Sequence, residues 1–398
     1  MLKPSQRGEN MPASPIRKLV PFAEAAEKKG IQVLYLNIGQ PDIETPPSIM
    51  NAVKNAHIPI LAYSHSAGNI SYRKKLVQYY QKLNIELTPE NIIVTSGGSE
   101  AIVFAMMSCM DLGDEIIIPE PFYANYNGFA LMAGVKIVTV TSHIEDGFAL
   151  PPIEAIEQSI TNKTKAILIC NPNNPTGYLY SEEEMKKLEE ICFKHQLFLI
   201  SDEAYREFSY NGKATSALEL EKISQQAIVV DTISKRYSAC GARIGAFITK
   251  NKEVYAAAMK FAQARLSPPG LAQILAEAAV DLPDDYFDAP KAAYLSRRDL
   301  LVKRLNAMPG VFCPNPGGAF YVVAQLPIDD GDRFCQWMLE SFSHQGKTVM
   351  MAPASGFYNT KGLGKNQVRM AYVINNERIS DAMDCLEAAL KIYPGRID

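Results

Sequence analysis

Seven short apolar runs punctuate the chain between residues 92 and 249. They are Ile92-Ile93-Val94, Glu115-Ile116-Ile117-Ile118, Lys136-Ile137-Val138-Thr139-Val140, Ala166-Ile167-Leu168-Ile169, Leu197-Phe198-Leu199-Ile200, Ala227-Ile228-Val229-Val230 and the run 244–249. Each is strand-length, rich in β-branched residues and apolar at successive positions, which is how a strand buried on both faces reads. Most are separated by helical patterns. The clearest is 181–195, where Ser181 and Glu184 have the spacing of a capping box. Strands alternating with helices predict a large α/β domain, with a mainly parallel seven-stranded sheet between helices.

Outside that stretch the rhythm differs. A polar, proline-containing arm leads into an amphipathic helix expected over about 16–29, ended by Gly30, and then a strand-like run Val33-Leu34-Tyr35-Leu36. Beyond about residue 280 a long charged helix near 289–308 precedes Pro316-Gly317-Gly318-Ala319-Phe320-Tyr321 and further mixed patterns. The expected organisation is an arm and part of a small domain over 1–45, a large domain over 46–280, and a smaller α+β domain over 281–398 drawing on both chain ends.

With 398 residues and a net charge of −3, nothing points to nucleic acid or an anionic membrane as a partner. No apolar stretch approaches membrane-spanning length, and the first residues lack the apolar centre of a signal peptide. Seven scattered cysteines without a Cys-x-x-Cys pair read as reduced thiols of a cytoplasmic protein, and five dispersed histidines argue against a metal site.

In parallel sheets ligands gather at the carboxyl ends of strands, and several of six polar clusters here follow expected strands. Thr95-Ser96-Gly97-Gly98-Ser99-Glu100 is a glycine turn opening a helix, suited to an anion. Pro121-Phe122-Tyr123-Ala124-Asn125-Tyr126 offers aromatics that can stack on a flat ring, although such clusters are more often core. Asn171-Pro172-Asn173-Asn174-Pro175-Thr176-Gly177 is a rigid turn that fixes an amide side chain. Asp202, in Ser201-Asp202-Glu203-Ala204-Tyr205, needs a partner at a buried strand end; a protonated ring nitrogen or Mg²⁺ would serve, but no phosphate loop accompanies a metal reading. Asp231-Thr232-Ile233-Ser234-Lys235-Arg236, with Arg243 eight residues after the lysine, combines hydroxyls and cations able to hold a phosphorylated aldehyde as a Schiff base. Arg369, inside Gln367-Val368-Arg369-Met370-Ala371-Tyr372, is either a solvent-facing strand residue or a buried fork for a substrate carboxylate.

Taken together and in this order, the clusters resemble class I aminotransferases of the pyridoxal-phosphate (PLP) fold type I superfamily, with similarity to the prokaryotic aspartate-aminotransferase-like branch. The resemblance runs from Leu36-Asn37-Ile38-Gly39-Gln40-Pro41-Asp42 to Val368-Arg369. It implies pyridoxal 5′-phosphate on Lys235, Asp202 at the pyridine nitrogen, Asn174 and Tyr205 at the 3-oxygen, and Tyr123 stacked on the ring. Gly98, the backbone amides of Ser99 and Glu100, Thr232, Ser234 and Arg243 would hold the phosphate. Gly39, Asn174 and Arg369 would meet the substrate. Tyr63 resembles the tyrosine that reaches the neighbouring subunit's phosphate, which implies a homodimer with shared active sites. The implied activity is ping-pong transfer of an amino group between an L-amino acid and a 2-oxo acid, with aspartate and 2-oxoglutarate as the candidate pair. Catalysis would fall to Lys235, Asp202 and Tyr205.

One position departs from the pattern: Ser99 stands where the aspartate-specific branch often carries a lysine for the distal carboxylate. Arg265, before Leu266-Ser267-Pro268-Pro269, lies near where relatives bring an interface arginine to the partner's site, and a structural role is equally open to it. The same cofactor residues also suit a PLP-dependent C–S β-lyase. A PLP-sensing regulatory module is a third reading, although the N-terminal segment is too short for a separate winged helix.

Overall fold

The computed structural model describes residues 2–397. β1 (Gln32–Tyr35) is followed by β2 (Ile92–Thr95), β3 (Glu115–Glu120), β4 (Lys136–Thr141), β5 (Thr164–Cys170), β6 (Phe198–Asp202), β7 (Ala227–Thr232) and β8 (Gly245–Thr249). The seven strands from β2 to β8 form one sheet in the order β2-β8-β7-β6-β5-β3-β4. These are the seven runs legible in the sequence. Side chains alternate between two cores: Ile92, Val94, Ile167, Ile169 and Val229 pack into one, and Ile93, Ala166, Leu168, Ile228 and Val230 into the other. Continuous apolar text is therefore period-two packing with both faces covered.

Only β8 runs against its neighbours, pairing antiparallel with both β2 and β7. A parallel neighbour needs a crossover of a dozen or more residues, whereas an antiparallel one can be reached by a folded-back connection. The connection from β7 to β8 is the segment that carries Lys235. It thus stays at the carboxyl end of β7, beside the ends of β6 and β5, where Asp202 pairs in register with Cys170.

Segments from both ends of the chain make a smaller lobe. β10 (Lys347–Met350) pairs parallel with β1, while β11 (Ala352–Pro353), β12 (Gln367–Ala371) and β9 (Tyr321–Gln325) form a three-stranded antiparallel sheet with β12 central. Leu19, Ala23, Val33 and Leu34 from the N-terminal side share one core with Val322, Val349, Met370 and Leu386. Helix limits differ slightly from expectation. The N-terminal helix opens as a 3-10 turn, Arg17–Leu19, before Val20–Lys28, with Pro21 tolerated in its first turn. The long charged helix is Asp288–Asn306. A short helix, Gln6–Asn10, interrupts the expected polar arm. No helix among the described residues is long and apolar enough to cross a membrane.

Candidate active site

Lys235 sits in a four-residue helix, Ile233–Arg236, whose N-cap Thr232 ends β7 and accepts the Ser234 backbone N–H at 3.1 Å. The Thr232 and Ser234 hydroxyls lie 2.8 Å apart. Lys235 Nζ donates to the Gly39 carbonyl at 2.8 Å. Burial pulls this amine down to about 8, and the Arg369 and Arg243 cations push the same way. Neighbouring cations, expected from the sequence to ease deprotonation, contribute less than the loss of water. Gly39 is required by close approach, because a Cβ there would lie 1.8 Å from the Tyr321 hydroxyl.

Asp202 is buried at the end of β6 and has no ion-pair partner among the described residues. Its Oδ2 accepts from the Tyr126 hydroxyl at 2.8 Å and its Oδ1 from the Ala204 N–H at 3.2 Å. Burial nevertheless raises it to about 6, outweighing those hydrogen bonds, with Glu203 and Asp231 adding repulsion. A cationic N–H donor entering the cavity would relieve that cost. Asn174 Nδ2 donates to Tyr205 Oη at 3.3 Å, and Tyr205 and Tyr321 share a hydroxyl contact of 2.9 Å. Tyr123 lies edge-on to Tyr126, ring centroids 5.4 Å apart.

Gly97 has φ +78°, and a Cβ there would lie 2.4 Å from Arg243 Nη2, so the glycine turn lets the guanidinium lie against its backbone. Gly98 opens the helix Gly98–Cys109, whose first N–H groups have no partner within the helix. The Glu100 side chain folds back to accept the Ser96 N–H at 2.8 Å and faces Arg265 at 3.3 Å, so it points an acid away from any anion on those amides. Arg369, central in the small sheet, is 2% exposed. Its guanidinium donates to Asn174 Oδ1 at 3.1 Å and to the Asn37 carbonyl, and lies over the Tyr321 and Phe357 rings at 4.7 and 4.8 Å. Its Nε has no partner and no carboxylate pairs with it among the described residues.

A cavity of about 450 Å³ brings these groups together. Gly39, Gly98, Ser99, Tyr123, Asn174, Asp202, Tyr205, Thr232, Ser234, Lys235, Arg243 and Arg369 all line it. Three candidate residues do not. Glu100 lies one position behind the wall. Tyr63 is 81% exposed on the surface of the single chain. Arg265 ends the helix Lys252–Arg265 rather than lying in a loop, and its Nη2 donates to the carbonyls of Ser66 and Val94 at 3.0 and 3.3 Å. The sequence reading missed Tyr126 as the support of Asp202, Tyr321 beside Tyr205, and Ser14, Ile16 and Arg17 on the cavity wall. Neither Tyr126 nor the N-terminal residues carry a local signal for these contacts, since each is made to a segment distant in sequence.

The chain matches the family described as aminotransferase class I and II over residues 31–384. It belongs to that family. An aspartate aminotransferase of Bacillus subtilis is 31% identical, covering 93% of this chain and 95% of the relative. A (5-formylfuran-3-yl)methyl phosphate transaminase of Methanocaldococcus jannaschii is 30% identical over 97% of this chain and 99% of its own. Among solved structures, an aspartate aminotransferase of Thermotoga maritima superimposes with TM-score 0.89 at 29% identity, and an alanine aminotransferase of Pyrococcus furiosus with TM-score 0.88 at 32%. Each covers 98% of this chain and 100% of that structure's chain. This aminotransferase therefore has the PLP fold type I architecture and is a PLP-dependent transaminase. The cavity suits that cofactor: an acid lacking a cation, an amine of lowered basicity, and hydroxyls, a guanidinium and a helix N-terminus at separate points of one wall.

Proposed function

We propose that Lys235 carries the cofactor and that Arg369 binds the substrate α-carboxylate. The observation that carries this reading is a single cavity holding an amine near 8, a buried acid and a buried guanidinium, the last two without an ion-pair partner among the described residues. Bound pyridoxal phosphate supplies an electron sink for charge developing at the substrate Cα. Asp202 holds the proton on the pyridine nitrogen, oriented by Tyr126. Asn174 and Tyr205 hydrogen-bond the 3-oxygen, and Tyr123 covers the ring. Gly98, the amides of Ser99 and Glu100, Thr232, Ser234 and Arg243 hold the phosphate. Lys235 would take the proton from the substrate Cα, while Gly39 and Arg369 would keep that carbon aligned.

The substrate pair to test first is aspartate with 2-oxoglutarate, in keeping with several relatives' names. Ser99 supplies no cation from the glycine turn. Arg17, on the cavity wall with no side-chain partner among the described residues, is the cation we assign to a distal carboxylate. A homodimer is supported by the exposed Ile60, Leu61 and Tyr63, with Leu61 against Gly270 and the exposed Leu271 following it. Tyr63 then reaches the partner's phosphate. The domain limits are 1–45, 46–280 and 281–398, and the compartment is the cytoplasm.

Borohydride reduction followed by peptide mapping tests the central assignment, and the expected label is on Lys235; a label on another lysine overturns it. A panel of amino acids, read by the change in the bound cofactor's absorbance, then ranks donors. Arg17→Ala is expected to lower activity with aspartate far more than with alanine. Sedimentation tests the dimer, and Tyr63→Phe is expected to loosen cofactor retention without preventing folding.

A further inference from the structure

Asp231 and Arg236 bracket the turn that bears Thr232, Ser234 and Lys235. Both side chains are buried, and Arg236 Nη2 donates to Asp231 Oδ1. The same oxygen accepts the Thr232 backbone N–H at 2.6 Å. The ion pair therefore spans the helix Ile233–Arg236, from the residue before its N-cap to its last residue. Arg236 also lies over the Tyr79 ring at 4.4 Å.

The contacts continue to the other side of the site. Tyr80 donates to Asp231 Oδ2 at 2.9 Å and accepts from Arg206 Nη2 at 3.0 Å. Arg206 grips Glu203 Oε2 through Nε and Nη2, at 2.9 and 2.6 Å. The second Glu203 oxygen accepts from Ser216 Oγ and the Ala217 N–H, each at 2.9 Å. Glu203 directly follows Asp202. One buried network thus joins the segment flanking Lys235 to the segment flanking Asp202.

Stability gives no sufficient reason for this arrangement. Burying an ion costs several kcal/mol of desolvation, and apolar replacements of similar volume are often neutral or stabilising. What apolar residues cannot do is fix the rotation of a short turn; a shared carboxylate oxygen that holds both a backbone N–H and a guanidinium can. Burial alone would raise Asp231, yet Arg236 and Arg206 hold it below its ordinary range, so it remains a charged anchor.

We propose that the Asp231–Arg236 pair is a positioning device that sets the Thr232 and Ser234 hydroxyls toward the cofactor phosphate. Arg236 does not line the cavity, whereas Thr232, Ser234 and Lys235 do; it acts through the turn. The inference rests on the assignment of the phosphate to Thr232 and Ser234.

The test measures equilibrium binding of pyridoxal phosphate and of pyridoxal to the full-length chain stripped of cofactor, alongside melting temperatures. Arg236→Met is expected to weaken pyridoxal phosphate at least tenfold while changing pyridoxal less than twofold. Arg236→Lys is expected to recover part of the loss. Asp231→Asn keeps the shape, carries the same expectation as Arg236→Met, and decides the matter if the methionine variant fails to fold. Equal weakening of both ligands, or a lower melting temperature with both affinities intact, overturns the positioning role. A wild-type protein that does not prefer pyridoxal phosphate over pyridoxal defeats the phosphate assignment itself, a distinct result.

Discussion

Arg369 Nη1 donates to Asn174 Oδ1 at 3.1 Å, so a residue of the small sheet and one of the turn after β5, 195 positions apart, meet inside the cavity. The contact leaves Nε free and the guanidinium without a carboxylate among the described residues. Arg369→Lys removes the planar fork and is expected to lower kcat/KM for every amino-acid substrate, by roughly 2–5 kcal/mol. Steady-state kinetics over donors of different side chains check this. A loss confined to one class would assign Arg369 to side-chain recognition instead.

Asp202 is the acid whose charge the cavity leaves uncompensated. Asp202→Asn keeps its shape and its contact with Tyr126 but cannot hold a cation's proton. Turnover in the cofactor-loaded variant is expected to fall by about 4 kcal/mol or more in barrier height. Near-normal turnover at full loading is incompatible with the role.

Lys235 links pH to stability in the cofactor-free protein. Its folded pKa, about 8, lies below its ordinary 10.5, so between these values the unfolded chain binds the extra proton. Stability then rises with pH across that window and the cost of the buried cation is full below about 8. Lys235→Met is therefore expected to melt higher than wild type at pH 7, by up to ~3 kcal/mol, with the gap closing toward pH 10. Melting curves at pH 7, 8.5 and 10 test the sign. Asp202 works in the reverse sense: raised from 3.8 to about 6, it withdraws stability as pH climbs through that interval.

Arg265 ties Ser66 and Val94 carbonyls to Glu100 within one chain. Arg265→Ala is expected to cost about 1–3 kcal/mol of stability, because it leaves those buried acceptors unpaired. Relative activities across a substrate panel should stay constant. A selective loss for aspartate and glutamate would return it to substrate recognition.

Much of this was legible in the sequence, because strand periodicity and turn chemistry are local. The seven runs were continuous apolar text since both sheet faces are covered, and the polar clusters of the large domain fell at strand ends since parallel sheets collect ligands there, whereas Arg369 lies within a strand of the small sheet. The glycines of the Ser96–Ser99 turn and the hydroxyls around Lys235 suit an anion by residue type, and the fold brings both to one cavity. Register between distant segments is not local. Only packing places Arg369 against Asn174, Tyr126 beneath Asp202 and residues 14–17 on the cavity wall, since each needs two elements whose separation in sequence carries no period. The basicity of Lys235 and Asp202 was likewise fixed by the fold. For Lys235 the sequence named neighbouring charges, and for Asp202 a buried strand end; burial, which no residue possesses until the chain has closed around it, is the larger cause for both.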